Sequence, residues 1–166
     1  MLNLRYLMLS ACLAIVSCGF TGSVGSSSQP DGGKSASFGF DTDVAYSSQL
    51  WETLSAERIV GDNAVAKKPF FGGAKPHGMI LELAYQPVTI GGHTGFVVVK
   101  KNYDGDGVSI NAVEKNRSKY LHSITVMYQR EAGYDEDNQN WFWAKYGPKG
   151  ELLQKQINGR DIGLAG

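Results

Sequence analysis

Cysteine is nearly absent from this sequence, and both of its occurrences lie near the start of the chain. Cys12 and Cys18 are the only thiols among 166 residues. If the first 18 residues are removed or modified during export, the folded domain has no free thiol. Such a domain has no disulfide, no thiolate metal site and no cysteine nucleophile.

An excess of charge of either sign is also missing. Sixteen basic and sixteen acidic residues give a formal net charge of zero. Proteins that bind nucleic acid usually carry a basic surface, so we expect no nucleic-acid partner. Catalytic triads, phosphate-binding loops and dinucleotide fingerprints are not found either. The hydrophobic content of 42% is ordinary for a globular protein of one domain.

The N terminus has the layout of an export signal. Arg5 precedes the apolar run 6–16, which is too short to span a membrane. The sequence from Ile15 to Cys18 resembles a bacterial lipobox, in which the cysteine becomes the lipidated first residue. The alternative is a plain secretory signal that is cleaved nearby. We expect residues 1–18 to direct export to the cell envelope, with a periplasmic protein anchored to the membrane through Cys18. Gly19 favours the outer over the inner membrane.

The remaining residues divide into a tether and a domain. Residues 19–40 are rich in glycine and serine, which predicts a flexible tether. In the domain, residues 41–166, Asp43 is a candidate cap for a helix that reaches residue 59, and Ser109 for a short helix over 109–120. Strands are predicted at 77–85, 96–102, 123–130 and 141–146, with a short fifth at 151–157. Pro87 and the glycine pair that follows it assign 86–92 to a connection. These elements predict an α+β domain, an antiparallel sheet of four to five strands with helices packed on it.

The strand HTGFVVVKKNY, residues 93–103, ends in two lysines on opposite faces. Phe96, Val98 and Lys100 share one side of the strand, and Val97, Val99 and Lys101 share the other. One lysine therefore follows an apolar row toward whatever that row covers. Both rows are apolar, so either lysine is a candidate.

Candidate metal ligands are sparse. Asp104-x-Asp106-Gly107 with Glu114 has part of a calcium-loop pattern, but it follows a strand and its last acid comes one position early, which favours a solvated turn. The acidic loop 134–138 is either a cation site or simply exposed. His77 and His93 begin two strands and would lie roughly 20–25 Å apart in an antiparallel pair. No three-histidine site with His122 is therefore expected, and no metal.

Glu82 alternates along its strand with Ile80 and Ala84, so its carboxylate lies on a partly apolar face. One interpretation makes Glu82 the acid of a pocket. The other places it on the solvated side, because the odd-numbered row forms a better core face: Met79, Leu81 and Leu83.

Several long segments beyond residue 50 resemble one family. They are LWETLSAERIV, KPHGMILELAYQPVTIGGHTGFVVVKKNY, KNRSKYLHSITVMYQREAGYD and NQNWFWAKYGPKGELL. In this order they resemble the cytochrome P-460 family, which is related to cytochrome c′-beta. The resemblance implies an antiparallel sheet with packed helices. It also implies haem-based redox chemistry on small nitrogen compounds such as hydroxylamine, or the binding of nitric oxide.

The resemblance also assigns a role to one of the two lysines. In hydroxylamine-oxidising members, a lysine at the end of the corresponding strand bonds covalently to the haem macrocycle, and the aligned position is Lys100. The alternative is an ordinary strand-end lysine that reaches solvent. Glu82 is the expected partner of Lys100. The candidate lining of the haem pocket is Phe96, Val98, Glu82, Phe70 and Phe71.

One feature of the family is missing. Members attach c-type haem through Cys-x-x-Cys-His near the C terminus, and these 166 residues contain no such motif. We therefore expect either a truncated gene or a haem-free descendant, with no cofactor in the chain as written and the question of enzymatic activity open. The alternative function is a haem-free envelope lipoprotein that acts as a ligand-binding or interaction module, including a homodimer. Its candidate contacts, unless they fill the core, are the aromatic runs 70–71 and 141–143.

Overall fold

The computed structural model describes residues 37–72 and 78–166. The predicted export signal with Cys18, most of the predicted tether and His77 lie outside these residues. In the described part of the chain, no helix is long and apolar enough to cross a membrane.

The first helix, α1 (Asp41–Ala56), begins two residues before the predicted cap. The Phe40 N–H donates to Asp43 Oδ2 at 3.0 Å, so Asp43 satisfies the helix start from inside the first turn. Leu50 and Leu54 are fully buried, and their spacing of four residues places them on one face of the helix. That face packs on the sheet, which confirms a helix-on-sheet layer.

Five antiparallel strands form the main sheet in the order β1-β2-β3-β4-β5. Two further strands pair in a small second sheet. Together with the helices they confirm the predicted α+β class. The elements after α1 are β1 (Phe70–Phe71), β2 (Ile80–Ile90), β3 (His93–Tyr103), α2 (Ile110–Lys115), α3 (Arg117–Tyr120), β4 (Leu121–Gln129), a 3₁₀ turn (Glu136–Asn138), β5 (Trp141–Tyr146), β6 (Gln154–Ile157) and β7 (Arg160–Gly163).

The predicted connection at 86–92 is wrong, because β2 continues through Pro87 to Ile90. Gly91 and Gly92 both have positive φ and form a two-residue turn into β3. The short β1 covers only the first two residues of β2. At Pro87, no described strand pairs with this edge of β2, so the missing N–H of the proline leaves no described strand without a hydrogen bond. The proline is therefore tolerated.

The predicted helix over 109–120 is two helices. Ser109 caps α2 as predicted, since its hydroxyl accepts from the Ala112 N–H at 3.2 Å. Asn116 has an extended backbone that ends α2, and its side chain accepts from the Lys119 N–H at 3.2 Å, which caps α3. This break places Arg117 in the first turn of α3.

The two faces of the main sheet have different environments. We call the face covered by α1 the inner face. The side chains that β2 to β5 place on this face form one buried cluster with α1. The opposite face we call the open face. Its residues are Leu83, Tyr85, Phe96, Val98, Lys100, Thr125, Met127, Trp143 and Lys145, which pair across neighbouring strands.

Several tyrosines are buried or half-buried, and burial raises their pKa values. The pKa of Tyr46 is raised to about 12, and those of Tyr103, Tyr128 and Tyr146 are raised as well. Tyr146 O–H donates to Ser47 O at 2.8 Å, which joins β5 to α1. Folding therefore favours the neutral phenols.

We expect the free energy of unfolding to fall as pH rises above about 10, where unfolded tyrosines ionise and the folded ones stay neutral. A raised pKa contributes stability that is present below the unfolded value and is lost as pH rises through the folded value. The pKa values of Lys100 and Lys101 are lowered, so these two residues raise the free energy of unfolding as pH rises, but only up to about pH 10.4. Urea unfolding at about pH 8 and about pH 11 measures the fall. The free energy of unfolding of the Tyr146→Phe variant should fall less between these two pH values. An equal free energy of unfolding of the wild type at both pH values would contradict the expectation.

Candidate functional site

Lys101, rather than Lys100, follows the buried row of β3. Val97 and Val99 are 0% and 1% exposed, and Lys101 continues their side of the strand on the inner face. In the register of β2 and β3, Lys101 lies directly opposite Glu82. Glu82 is itself only 1% exposed. The interpretation that places Glu82 on the solvated side is therefore wrong.

Glu82 accepts hydrogen bonds from two side chains, one on the paired strand β3 and one on α3. Arg117 Nε donates to Oε1 at 2.6 Å, and Tyr103 O–H donates to Oε2 at 3.0 Å. We call Glu82, Lys101, Tyr103 and Arg117 the Glu82 cluster. A buried carboxylate is costly unless it is paired and hydrogen-bonded, and both of its oxygens meet this condition.

The rest of the Arg117 guanidinium holds the surrounding backbone. Nη1 donates to Glu114 O at 3.1 Å, and Nη2 donates to Lys67 O at 3.3 Å. Arg117 therefore joins α2, the segment before β1 and the buried carboxylate of β2. This role depends on the break at Asn116, which caps α3 and makes Arg117 the first residue of that helix.

Burial and charge shift the proton affinities within the cluster. The pKa of Tyr103 is raised by burial first, and then by the negative charge of Glu82 and its hydrogen bond. The pKa of Lys101 is lowered by burial, although the charge of Glu82 opposes this effect. The Lys101 ammonium is thus held in a partly desolvated place beside an acid whose oxygens are already engaged.

A cavity of about 360 Å³ adjoins the cluster, and we call it the Lys101 cavity. Its walls combine cations with apolar side chains. The residues that line it include Lys101, Tyr103, Arg117, Ser118, Leu121, Ile124, Lys149, Asp62, Ala64 and Ala66. Its volume is within the usual range of small-molecule sites.

A second cavity, of about 530 Å³, lies at the margin of the open face. It is lined by Phe38, Met127, Trp141 and Trp143 among others. Phe38 stacks at a tilt on Trp143 with ring centroids 5.4 Å apart, and the neighbouring Gly39 N–H donates to Ala165 O. Phe38 and Gly39, which composition assigned to the tether, thus contact the domain.

The expected pairing of Glu82 with Lys100 is wrong. Lys100 lies opposite Leu83 on β2 and Thr125 on β4, and its side chain leaves the sheet on the open face. Glu82 leaves on the inner face, because successive residues of a strand alternate. Burial lowers the pKa of Lys100, and the charge of Lys145 lowers it further.

The sequence-based pocket lining is divided between the two faces. Phe96 and Val98 share the open face with Lys100, and Phe70 pairs with Leu81 on the same side. Phe71 pairs with Ile80 on the other side and is 70% exposed. The proposed lining therefore does not form one pocket. Of the run 141–143, Phe142 fills the core, whereas both tryptophans are half-buried beside the open face.

The described residues bring no metal site together. No group of three or more histidine, cysteine, aspartate or glutamate side chains in that part of the chain could hold an ion. The Asp104 carboxylate accepts from the next N–H in an exposed turn, and the acidic side chains of residues 136 and 137 are exposed on a 3₁₀ turn. His93 Nε2 lies 3.2 Å from Gln129 O.

Sequence reasoning missed Arg117 as the partner of Glu82. The two residues are 35 positions apart, and one is on a strand and the other on a short helix. The one signal available was Asn116, a residue type that favours helix starts. Read as a cap, it would have divided the predicted helix and directed attention to the residue after it.

The residues present do not fit the covalent haem of the family that the sequence resembles. That haem needs two cysteine thioethers and an axial histidine. The described residues include no cysteine, and His93 and His122 are not among the open-face residues defined above. No protein-family model, curated protein or solved structure matches the chain. Fold and site define a class: an α+β domain whose sheet is covered on one face and open on the other.

Proposed function

We propose that this protein is an exported binding module whose open face takes an apolar ligand that carries an acid group. The observation that carries the proposal is a continuous row of apolar side chains on a sheet face that α1 leaves open. The row crosses four strands in register, from Tyr85 through Val98 and Met127 to Trp143.

The apolar side chains of the open face include several with high exposure. Tyr85 is 65% exposed, Phe96 and Met127 are each 40% exposed, and Leu83 is 37% exposed. Single exposed apolar residues are normal, but a contiguous group on one face usually marks a binding surface. Tyr85 and Phe96 lie with ring centroids 6.2 Å apart and form the aromatic part of it.

The charge beside the row indicates the second property of the ligand. Lys100, Thr125 and Lys145 pair in the next row across β3, β4 and β5, so two cations flank one side of the apolar group. Their mutual repulsion contributes to the lowered pKa of Lys100. The acid group of a ligand bound on the apolar row would lie near both cations. Fatty acids and tetrapyrroles with propionate groups have this combination of properties.

The family resemblance supports the same face. It aligns Lys100 with a haem-modifying lysine, and Lys100 lies on the open face with Phe96 and Val98. We propose binding only and derive no redox step, because the residues present do not fit the family's covalent haem. The expected export signal agrees with a binding role in the cell envelope.

The anionic dye 8-anilinonaphthalene-1-sulfonate tests this proposal, with haemin and palmitate as competitors. We expect saturable fluorescence enhancement and about tenfold weaker binding in Phe96→Ala, since loss of such a contact corresponds to about 1.4 kcal/mol. Phe71→Ala is the matched control, because Phe71 is more exposed and lies on the other side of the sheet. It should bind the dye as the wild type does.

A second set of variants tests whether the two cations beside the apolar row contribute to binding. The double variant Lys100→Gln/Lys145→Gln should weaken dye binding, and Lys155→Gln, an exposed lysine on β6, should not. Equal binding by all variants would overturn the proposal. Sedimentation of the wild type provides the contrasting outcome. A stable dimer that Phe96→Asp dissociates would mean that a second copy, and not a small ligand, covers the open face.

A further inference from the structure

The Lys101 cavity has a positively charged wall, to which the function proposed for the open face gives no role. Lys101, Arg117 and Lys149 line it, and Asp62 is the acid among its lining residues. Glu82 lies behind this wall and is almost fully buried. Its two oxygens already accept from Arg117 and Tyr103, so its capacity to neutralise a further cation is largely used.

The ammonium group of Lys101 is the cation of this wall that most needs an acceptor. It is half-buried, and within the described residues no hydrogen bond or ion pair involves its ammonium. An ammonium has three donors that water or an acceptor must satisfy. Lys101 lies on a central strand and lines the cavity, so an acceptor bound in the cavity can satisfy its ammonium.

Arg117 and Lys149 add donors on the same wall. The Arg117 guanidinium uses one hydrogen on each of its three nitrogens for Glu82 and two carbonyls, which leaves two further N–H groups. Lys149 is exposed in the turn after β5. A compact ammonium and a guanidinium together suit a carboxylate or a phosphate.

Apolar side chains form another part of the cavity lining. Leu121 and Ile124 from β4 and Ala64 and Ala66 from the segment after α1 also line the cavity, and Ile124 lies beside Lys101 in the register of β3 and β4. A free inorganic ion would leave these surfaces in contact with water only. A small hydrocarbon body would cover them and fit in about 360 Å³.

We propose that the Lys101 cavity binds a small organic anion, whose acid group contacts Lys101, Arg117 and Lys149 and whose hydrocarbon body contacts Leu121 and Ile124. This site lies on the inner side of the sheet and is separate from the open face. It therefore does not depend on the function proposed for that face.

Calorimetric titration of the purified protein with benzoate, phenyl phosphate and inorganic phosphate tests the proposal. We expect saturable binding of at least one aromatic anion, with phosphate alone weaker because it leaves the apolar walls uncovered. Lys101→Gln should weaken binding by about tenfold, as expected for loss of one charge-assisted contact. Lys149→Gln should weaken it to a smaller extent. Lys115→Gln removes an exposed cation on α2 and should leave binding unchanged.

The variants also separate this site from its alternatives. Lys149 is exposed, so Lys149→Gln remains a valid test if Lys101→Gln fails to fold. Phe96→Ala on the open face should leave the affinity for benzoate unchanged. The proposal is overturned if none of the three anions binds saturably, if both cavity variants bind as the wild type does, or if Phe96→Ala alone abolishes binding.

Discussion

Replacing Phe142 by alanine is expected to lower the free energy of unfolding by about 3–5 kcal/mol. Phe142 is 0% exposed in the cluster between β5 and α1. Its ring packs edge-on against Tyr46 at a centroid distance of 4.9 Å and against Tyr134 at 6.2 Å. The alanine variant loses these contacts and leaves a cavity, which a close-packed core can close only in part.

Phe96→Ala is the matched control, since it makes the same chemical change on the other face. Phe96 is 40% exposed, so its loss should cost only about 1 kcal/mol. Urea unfolding of both variants measures the difference. Equal costs, or a larger cost at Phe96, would contradict the assignment of an inner and an open face.

Replacing Arg117 by alanine is expected to lower the free energy of unfolding by about 3 kcal/mol, at the lower end of the cost of breaking a buried ion pair. The variant leaves Glu82 buried with one oxygen unpaired. The value is toward the lower end because the Arg117 side chain is 32% exposed and Lys101 still lies opposite Glu82. Lys115→Ala, which removes an exposed cation of the neighbouring helix α2, is the control and should cost little.

A second substitution separates the charge from the packing of Arg117. Adding Glu82→Gln to Arg117→Ala removes the unpaired charge, so the double variant should recover at least about 1 kcal/mol of the loss. Denaturant unfolding of both single variants and the double variant completes the cycle. If the double variant is less stable than Arg117→Ala by the full cost of Glu82→Gln, the two residues are independent and the cluster is described wrongly.

The strands were predictable because their signals are local. Trp141–Tyr146 has the predicted bounds of β5, and the Ser109 cap is confirmed. Pro87 misled the prediction, since proline usually argues against a strand. What permits it is a distant fact, the shortness of β1, which leaves that edge of β2 unpaired.

The candidate site was less predictable, because it depends on which face is covered. The rows Phe96–Val98 and Val97–Val99 are equally apolar in sequence, so alternation alone cannot choose between them. The choice comes from α1, whose Leu50 and Leu54 pack over the second row. The same choice places Lys101 beside Glu82 and Lys100 on the open face. The haem chemistry implied by the family resemblance stays a prediction.

The most direct test of the open face uses three consecutive valines. In methyl-labelled protein, the side chains of Val97, Val98 and Val99 alternate between the inner and the open face. Titration with 8-anilinonaphthalene-1-sulfonate should shift the methyl resonances of Val98 strongly and those of Val97 and Val99 far less. Larger shifts at Val97 and Val99, or no saturable shift at Val98, would contradict the proposal that the open face binds the ligand.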